Sequence, residues 1–182
     1  MARDLVRVSK FLSKHLRHDP AGIGLVLGPG GWVEVDALLA ACARKGVAIS
    51  RSDLAAVVAG SDKQRFALSE DGRQVRANQG HSVEVDLQLE PATGVPAALY
   101  HGTGEQTVAA ILREGLRRMA RHHVHLSLDV ETARRVGGRH GRPVVLVVDA
   151  AAMQAAGAVF YCSANGVWLT DEVAPAYLRV LV

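Results

Sequence analysis

Leu89-Glu90-Pro91-Ala92-Thr93-Gly94-Val95-Pro96 has the composition of a linker, and it divides a 182-residue chain into halves with different patterns. A chain of this length makes one domain or two small ones. The division predicts two domains, over residues 1–90 and 96–182. The first half reads as three helices followed by a hairpin. Leu5, Val8, Leu12 and Leu16 repeat at helical spacing with Pro20 as the stop, and the Arg- and Lys-bearing segment Met1–Lys14 reads as amphipathic. Asp36 is a plausible N-cap for a helix over Ala37–Lys45, with Gly46 closing it, and Ser50 or Ser52 opens a third helix to Ala59. Arg65–Leu68 and Gln74–Ala77 are two short strands joined by Ser69-Glu70-Asp71-Gly72. Helices followed by a β-hairpin is the winged-helix pattern, which serves nucleic-acid or protein contacts without settling function.

The second half alternates short strands and helices. Strands are predicted at Leu99–Thr103, Arg121–Ser127, Val144–Asp149, Phe160–Cys162, Val167–Leu169 and Tyr177–Val182. Helices are predicted at Glu105–Glu114, Val130–Val136 and Ala150–Ala156. The expected class is α+β. Hydrophobic residues make up 49% of the chain and charged residues 21%, so a packed core is available and a disordered chain is not expected. The longest strongly apolar run, Val144–Val148, is too short to span a membrane. With no signal-peptide pattern at its start, the chain is expected to be a cytoplasmic monomer. Cys42 and Cys162 are too few for a disulfide framework, and both read as small core residues.

Net charge is +3, and 17 of the 21 basic residues are Arg. Arginine suits bidentate phosphate contacts, but a genomic base bias produces the same excess, so position carries the argument. Read as a strand, Arg121–Ser127 puts Arg121, His123, His125 and Ser127 on one face and His122, Val124 and Leu126 on the other. The first face carries no carboxylate and suits an anion. A solvated face or a His-x-His metal pair are the other readings, and no third ligand stands at metal-like spacing. Arg17 and His18 lie where the first helix exits, where cations are also favoured by the exposed carbonyls. Arg65 opens a hairpin strand, as a backbone-contacting or a solvated arginine. His101, Gly102 and Thr103 link a strand to a helix, where they could bind ribose or phosphate, or serve the core. Gly137–Arg142 is a basic glycine-rich loop, with Arg139 or Arg142 as countercharge to a pyrophosphate, or a plain loop. Gly22–Gly31 does not fit a dinucleotide fingerprint.

Taken in order, these segments resemble one family. Leu12–His18, Lys63–Phe66, Arg76–Ser82, Leu99–Thr103, Met119–Ser127 and Asn165–Thr170 look like the motif set of the RNA 2′-phosphotransferases, the tRNA 2′-phosphotransferase or KptA family. Ala174-Pro175 departs from the pair of prolines more usual there. The resemblance implies a winged-helix RNA lobe, then an ADP-ribosyltransferase-like α+β lobe that binds NAD⁺, with the reaction in the cleft between them. It implies Arg17, His18, Arg65 and Arg121 as catalytic residues. It also implies His101, Gly102, Thr103, His125 and Ser127 as NAD⁺ contacts, to which we add Arg139; His123 is left unassigned. No metal is expected. The implied reaction removes an internal RNA 2′-phosphate, as at tRNA splice junctions. It passes through RNA-2′-phospho-ADP-ribose and yields 2′-hydroxyl RNA, ADP-ribose 1″,2″-cyclic phosphate and nicotinamide. The alternatives are an ADP-ribosyltransferase that caps phosphorylated nucleic-acid ends, and a winged-helix protein without catalysis.

Overall fold

The computed structural model describes residues 5–60 and 64–181. The chain divides between Gln88 and Leu89 into two compact units. In the first, α1 (Leu5–Arg17) buries Val8, Leu12, His15 and Leu16, one face at helical spacing. Leu5 stays exposed and His15 takes the fourth core place instead. The helix ends at Arg17, just ahead of the expected stop at Pro20; residues 1–4 of the predicted segment lie outside the described ones. At its exit the Lys14 carbonyl accepts the His18 and Asp19 N–H groups at 2.8 and 3.1 Å, and His15 Nδ1–H donates to the Asp19 carbonyl at 2.8 Å.

After 3₁₀ turns at Ala21–Ile23 and Pro29–Gly31, β1 (Val33–Glu34) leads directly into α2 (Val35–Arg44). This helix starts two residues before the expected position. Glu34 is its N-cap, Asp36 lies inside the first turn, and the Val35 N–H is taken by the Arg73 carbonyl at 2.8 Å. Its end follows expectation in chemistry: Gly46 adopts φ +74°, Gly46 N–H reaches Ala43 O and Val47 N–H reaches Cys42 O, a Schellman closure. α3 (Arg51–Ala59) opens with a capping box, Ser50 and Asp53 each satisfying the other's backbone N–H. β2 (Phe66–Leu68) and β3 (Gln74–Ala77) form the hairpin, and β3 also pairs with β1, giving the antiparallel order β1-β3-β2. The core joins Leu12, Leu16, Leu38, Leu54, Phe66 and Val75.

In the second unit, β4 (Ala98–Gly104), α4 (Glu105–Glu114) and β5 (Leu116–Arg117) are followed by β6 (Val124–Leu126) and α5 (Val130–Gly137). A 3₁₀ turn at Gly138–His140 leads to β7 (Pro143–Asp149), α6 (Ala150–Ala155), β8 (Tyr161–Cys162), β9 (Trp168–Thr170), β10 (Glu172–Val173), and β11 (Leu178–Val180) after a 3₁₀ turn at Pro175–Tyr177. Three antiparallel sheets result, ordered β11-β7-β4, β6-β9-β8 and β10-β5. Leu99, Val124, Leu126, Val148, Phe160 and Trp168 belong to one core. The stretch read as a linker packs here: Pro91 bridges Tyr161, and Ala92 N–H donates to the Phe160 carbonyl.

The strand at Arg121–Ser127 is shorter than expected. Val124–Leu126 pairs with Trp168–Thr170 and Ser127 makes a single bridge to Tyr100, while on the other side the ladder stops because β9 ends where the chain leaves for β10. Arg121–His123 form bends, entered by Met119 at φ +54° and an Arg121 N–H bond to Arg118 O. Alternation therefore does not place Arg121 beside His125. Cys42 is buried as expected, and burial pushes its thiol up to about 11, but Cys162 is exposed on the short strand β8. The chain is an α+β protein, with six helices among the described residues.

Candidate active site

Three of the four expected catalytic residues lie in the first unit, and a single segment ties them together. Arg17 closes α1 and donates from Nη2 to the Arg65 carbonyl at 3.4 Å. The same carbonyl accepts the Asn78 N–H at 2.9 Å, while the Asn78 side chain donates to Gln64 O at 2.5 Å. Gln64 stands at φ +40°, a left-handed conformation for a non-glycine residue, so this anchor holds the strand entry in an uncommon geometry. Downstream, Ser82 N–H donates to the Arg17 carbonyl at 3.0 Å and Ser82 Oγ meets His18 Nδ1 at 2.9 Å. Residues 78–82 thus pin both the helix exit and the hairpin entry. His18 is exposed; Arg17 and Arg65 are half-buried. Asn78 and Ser82 received no role from sequence reasoning, although their motif was noticed, because no pattern shows that a segment after the hairpin returns to the first helix.

In the second unit, β4 and the end of β6 meet through a reciprocal backbone bridge, Tyr100 N–H to Ser127 O at 2.9 Å and Ser127 N–H to Tyr100 O at 2.7 Å. This sets His101 beside His125. His101 Nδ1–H donates to the His125 carbonyl at 3.2 Å, and His125 Nδ1–H donates to the His123 carbonyl at 3.0 Å. A carbonyl only accepts, so both rings carry their proton on Nδ1 when neutral. Burial, then the charges of Arg121 and His140, push the His101 pKa down against the opposing pull of the His125 carbonyl. Neutral His101 therefore presents Nε2 as an acceptor. Arg121 acts on the same ring although it stands in a bend, so the structure brings Arg121, His101, His125 and Ser127 into one neighbourhood.

Thr103 and Gly102 are placed differently. Thr103 is buried, its hydroxyl bonded to Thr107 Oγ1 at 2.7 Å. Gly102 lies under α5, where a Cβ would overlap the Ala133 carbonyl; a Cβ on Gly137 would in turn press on the Thr103 backbone. Both glycines permit helix and strand to touch. Arg139 is exposed in the 3₁₀ turn just beyond Gly137. His123, unassigned from sequence, packs its ring 5.3 Å from Tyr161 and stands 4.0 Å from the Asp171 carboxylate. Burial lowers its pKa, partly offset by Asp171. Among the described residues no group of three or more His, Cys, Asp and Glu side chains gathers as a metal site.

Arginines and imidazoles dominate both sets, the donor chemistry of an enzyme that handles phosphate groups. Comparison with known families agrees with that class. Residues 3–172 match the model of the RNA 2′-phosphotransferase, Tpt1 / KptA family. A probable RNA 2′-phosphotransferase of Trichormus variabilis is 61% identical over 97% of this chain and 96% of the relative. Proteins of the same description from Nostoc punctiforme (59%; 96% of each chain) and Streptomyces griseus subsp. griseus (58%; 97% and 96%) are similarly close. The chain belongs to the RNA 2′-phosphotransferase, Tpt1 / KptA family.

Proposed function

We propose that this protein removes an internal 2′-phosphate from RNA, with NAD⁺ as the co-substrate that takes the phosphate. The products are RNA with a 2′-hydroxyl, ADP-ribose 1″,2″-cyclic phosphate and nicotinamide. The observation that carries the reading is the family match across nearly the whole chain, with Arg17, His18 and Arg65 tied together by the 78–82 segment. The first unit is read as a winged helix, supported by the order α1-β1-α2-α3-β2-β3 with β1 added to the hairpin. The second is read as an ADP-ribosyltransferase-like lobe, supported by its small antiparallel sheets around one core.

The residues suit the chemistry. A phosphate monoester carries about −1.5 to −2 charge at neutral pH, so it attacks without a general base. Arg17, Arg65 and Arg121 hold its oxygens in this reading, and the same guanidiniums stabilise charge that builds during transfer, at a few kcal/mol per well-placed donor. His18, its Nδ1 engaged by Ser82, carries at Nε2 the proton delivered to the departing RNA 2′-oxygen. The donor set of the second unit fits a dinucleotide: Arg139 suits pyrophosphate oxygens, and neutral His101 suits a ribose hydroxyl, which donates to Nε2. His125 and Ser127 adjoin His101 and belong to the same contact set. Gly102 and Thr103 serve it through the backbone, since the Thr103 hydroxyl is already engaged. NAD⁺ supplies the electrophilic ribose carbon; no metal enters the scheme. The same reading takes the chain as a cytoplasmic monomer. No described helix is long and apolar enough to cross a membrane.

The test is product mass from a 2′-phosphorylated RNA with and without NAD⁺. The expected result is NAD⁺-dependent loss of the phosphate together with ADP-ribose cyclic phosphate, reduced at least a hundredfold in Arg65→Ala and Arg121→Ala. RNA that keeps its 2′-phosphate overturns the reading, and RNA that gains ADP-ribose only at a terminal phosphate establishes the end-capping alternative.

A further inference from the structure

We propose that the groove along α1 is the track for the RNA strand that continues from the 2′-phosphorylated nucleotide, with Lys10 and Lys14 as its backbone contacts. The proposal rests on the 2′-phosphate reading above and specifies where the rest of that substrate lies. The groove has a volume of about 630 Å³ and lies within the first unit, between α1 and the end of α3. At one end stand Arg17, His18 and Arg65, the residues that hold the phosphate in that reading. From there Lys14 and Lys10 follow at steps of three and four residues, so the three cations share one helix face. With a rise of 1.5 Å per residue, the row from Arg17 to Lys10 spans roughly 10 Å.

The lining chemistry matches a single strand. Lys10, Lys14, Arg17 and Arg65 supply positive charge, and none of the described lining residues is Asp or Glu. Ser9 and Ser13 stand beside the lysines as neutral donors, suited to phosphate or ribose oxygens. Leu5 and Val6, 39% and 64% exposed at the far end, offer an apolar surface for a base face. Lys14 Nζ lies 3.8 Å from the Asp19 carboxylate, but the pair is solvent-accessible, 63% and 42% exposed, and such a pair yields readily to a phosphate. An aromatic stacking platform is absent from the described lining, so the track reads backbone and not sequence.

The experiment compares two substrates carrying the same 2′-phosphate: a dinucleotide, and an oligonucleotide of about ten residues extended on both sides. Wild type and Lys10→Gln/Lys14→Gln are assayed on each across a salt series. The wild type is expected to favour the longer RNA at least tenfold in kcat/KM. The double variant is expected to lose most of that preference, through KM, with the salt slope of log(kcat/KM) shallower by about 1–1.5. Lys10→Glu is expected to push the preference below that of the Gln pair. A wild type indifferent to length, or a double variant with the wild-type preference and salt slope, overturns the track. Failure of the wild type to dephosphorylate either substrate overturns the underlying reading instead.

Discussion

The hydroxyl of Ser82 illustrates how little separates a structural from a chemical role at single residues. It bonds to the imidazole of His18, and its backbone N–H holds the carbonyl of Arg17. Ser82→Ala keeps the backbone tie and removes only the imidazole partner. The expected outcome is a fall in kcat on the order of tenfold, about 1.4 kcal/mol of barrier, with RNA affinity changed less than twofold; rescue by Ser82→Thr would mark the hydroxyl as the positioning group. Equal losses in kcat and affinity would assign Ser82 to binding. Arg17, His18, Arg65 and Arg121 are picked out in the sequence by the motifs they stand in. Ser82 and Asn78 are not, since their effect depends on a chain return that no local periodicity encodes.

At the scale of elements, close approach of α5 to β4 is bought with two glycines. Gly102→Ala is expected to destabilise the protein by about 3 kcal/mol or more, since the clash is with backbone that cannot rotate away. Thermal unfolding measures this, and Gly138→Ala, where a Cβ meets nothing within 4 Å, is the control expected to leave stability nearly unchanged. A glycine at this strand end suits ligand approach or the core, and what Gly102 meets is the helix α5. Capped and periodic elements are legible in the sequence: α4 matches its predicted span, and of the two serines that could open α3 it is Ser50 that caps it, with the helix running to Ala59 as expected. The strand at Arg121–Ser127 is shorter than its alternation implies, because side-chain alternation describes a strand's potential while ladder partners decide its length. The two-residue strands β1, β5 and β10 went unpredicted for the same reason: they exist only through pairing with β3 or with each other.

For the whole molecule, stability should depend on pH through His101 and His123, both held below the ordinary imidazole value chiefly by burial. The unfolded chain then binds more protons than the folded one as pH falls through about 6.5. Their contribution is fully present above that value and is lost as pH drops toward their lower folded values. Tm is therefore expected to decline between pH 7.5 and 5.5, and His101→Gln to flatten that decline; a Tm independent of pH across this window would contradict the assignment. The bridge between Tyr100 and Ser127 carries a consequence of another kind. It places the His125 carbonyl within reach of His101 Nδ1, so the position of the ring proton is written into strand register. A carboxylate that fixes a histidine's tautomer also brings a negative charge. Here the choice falls to a peptide group, which brings no charge of its own, so the neighbourhood of His101 keeps its positive character while one imidazole in it stays neutral.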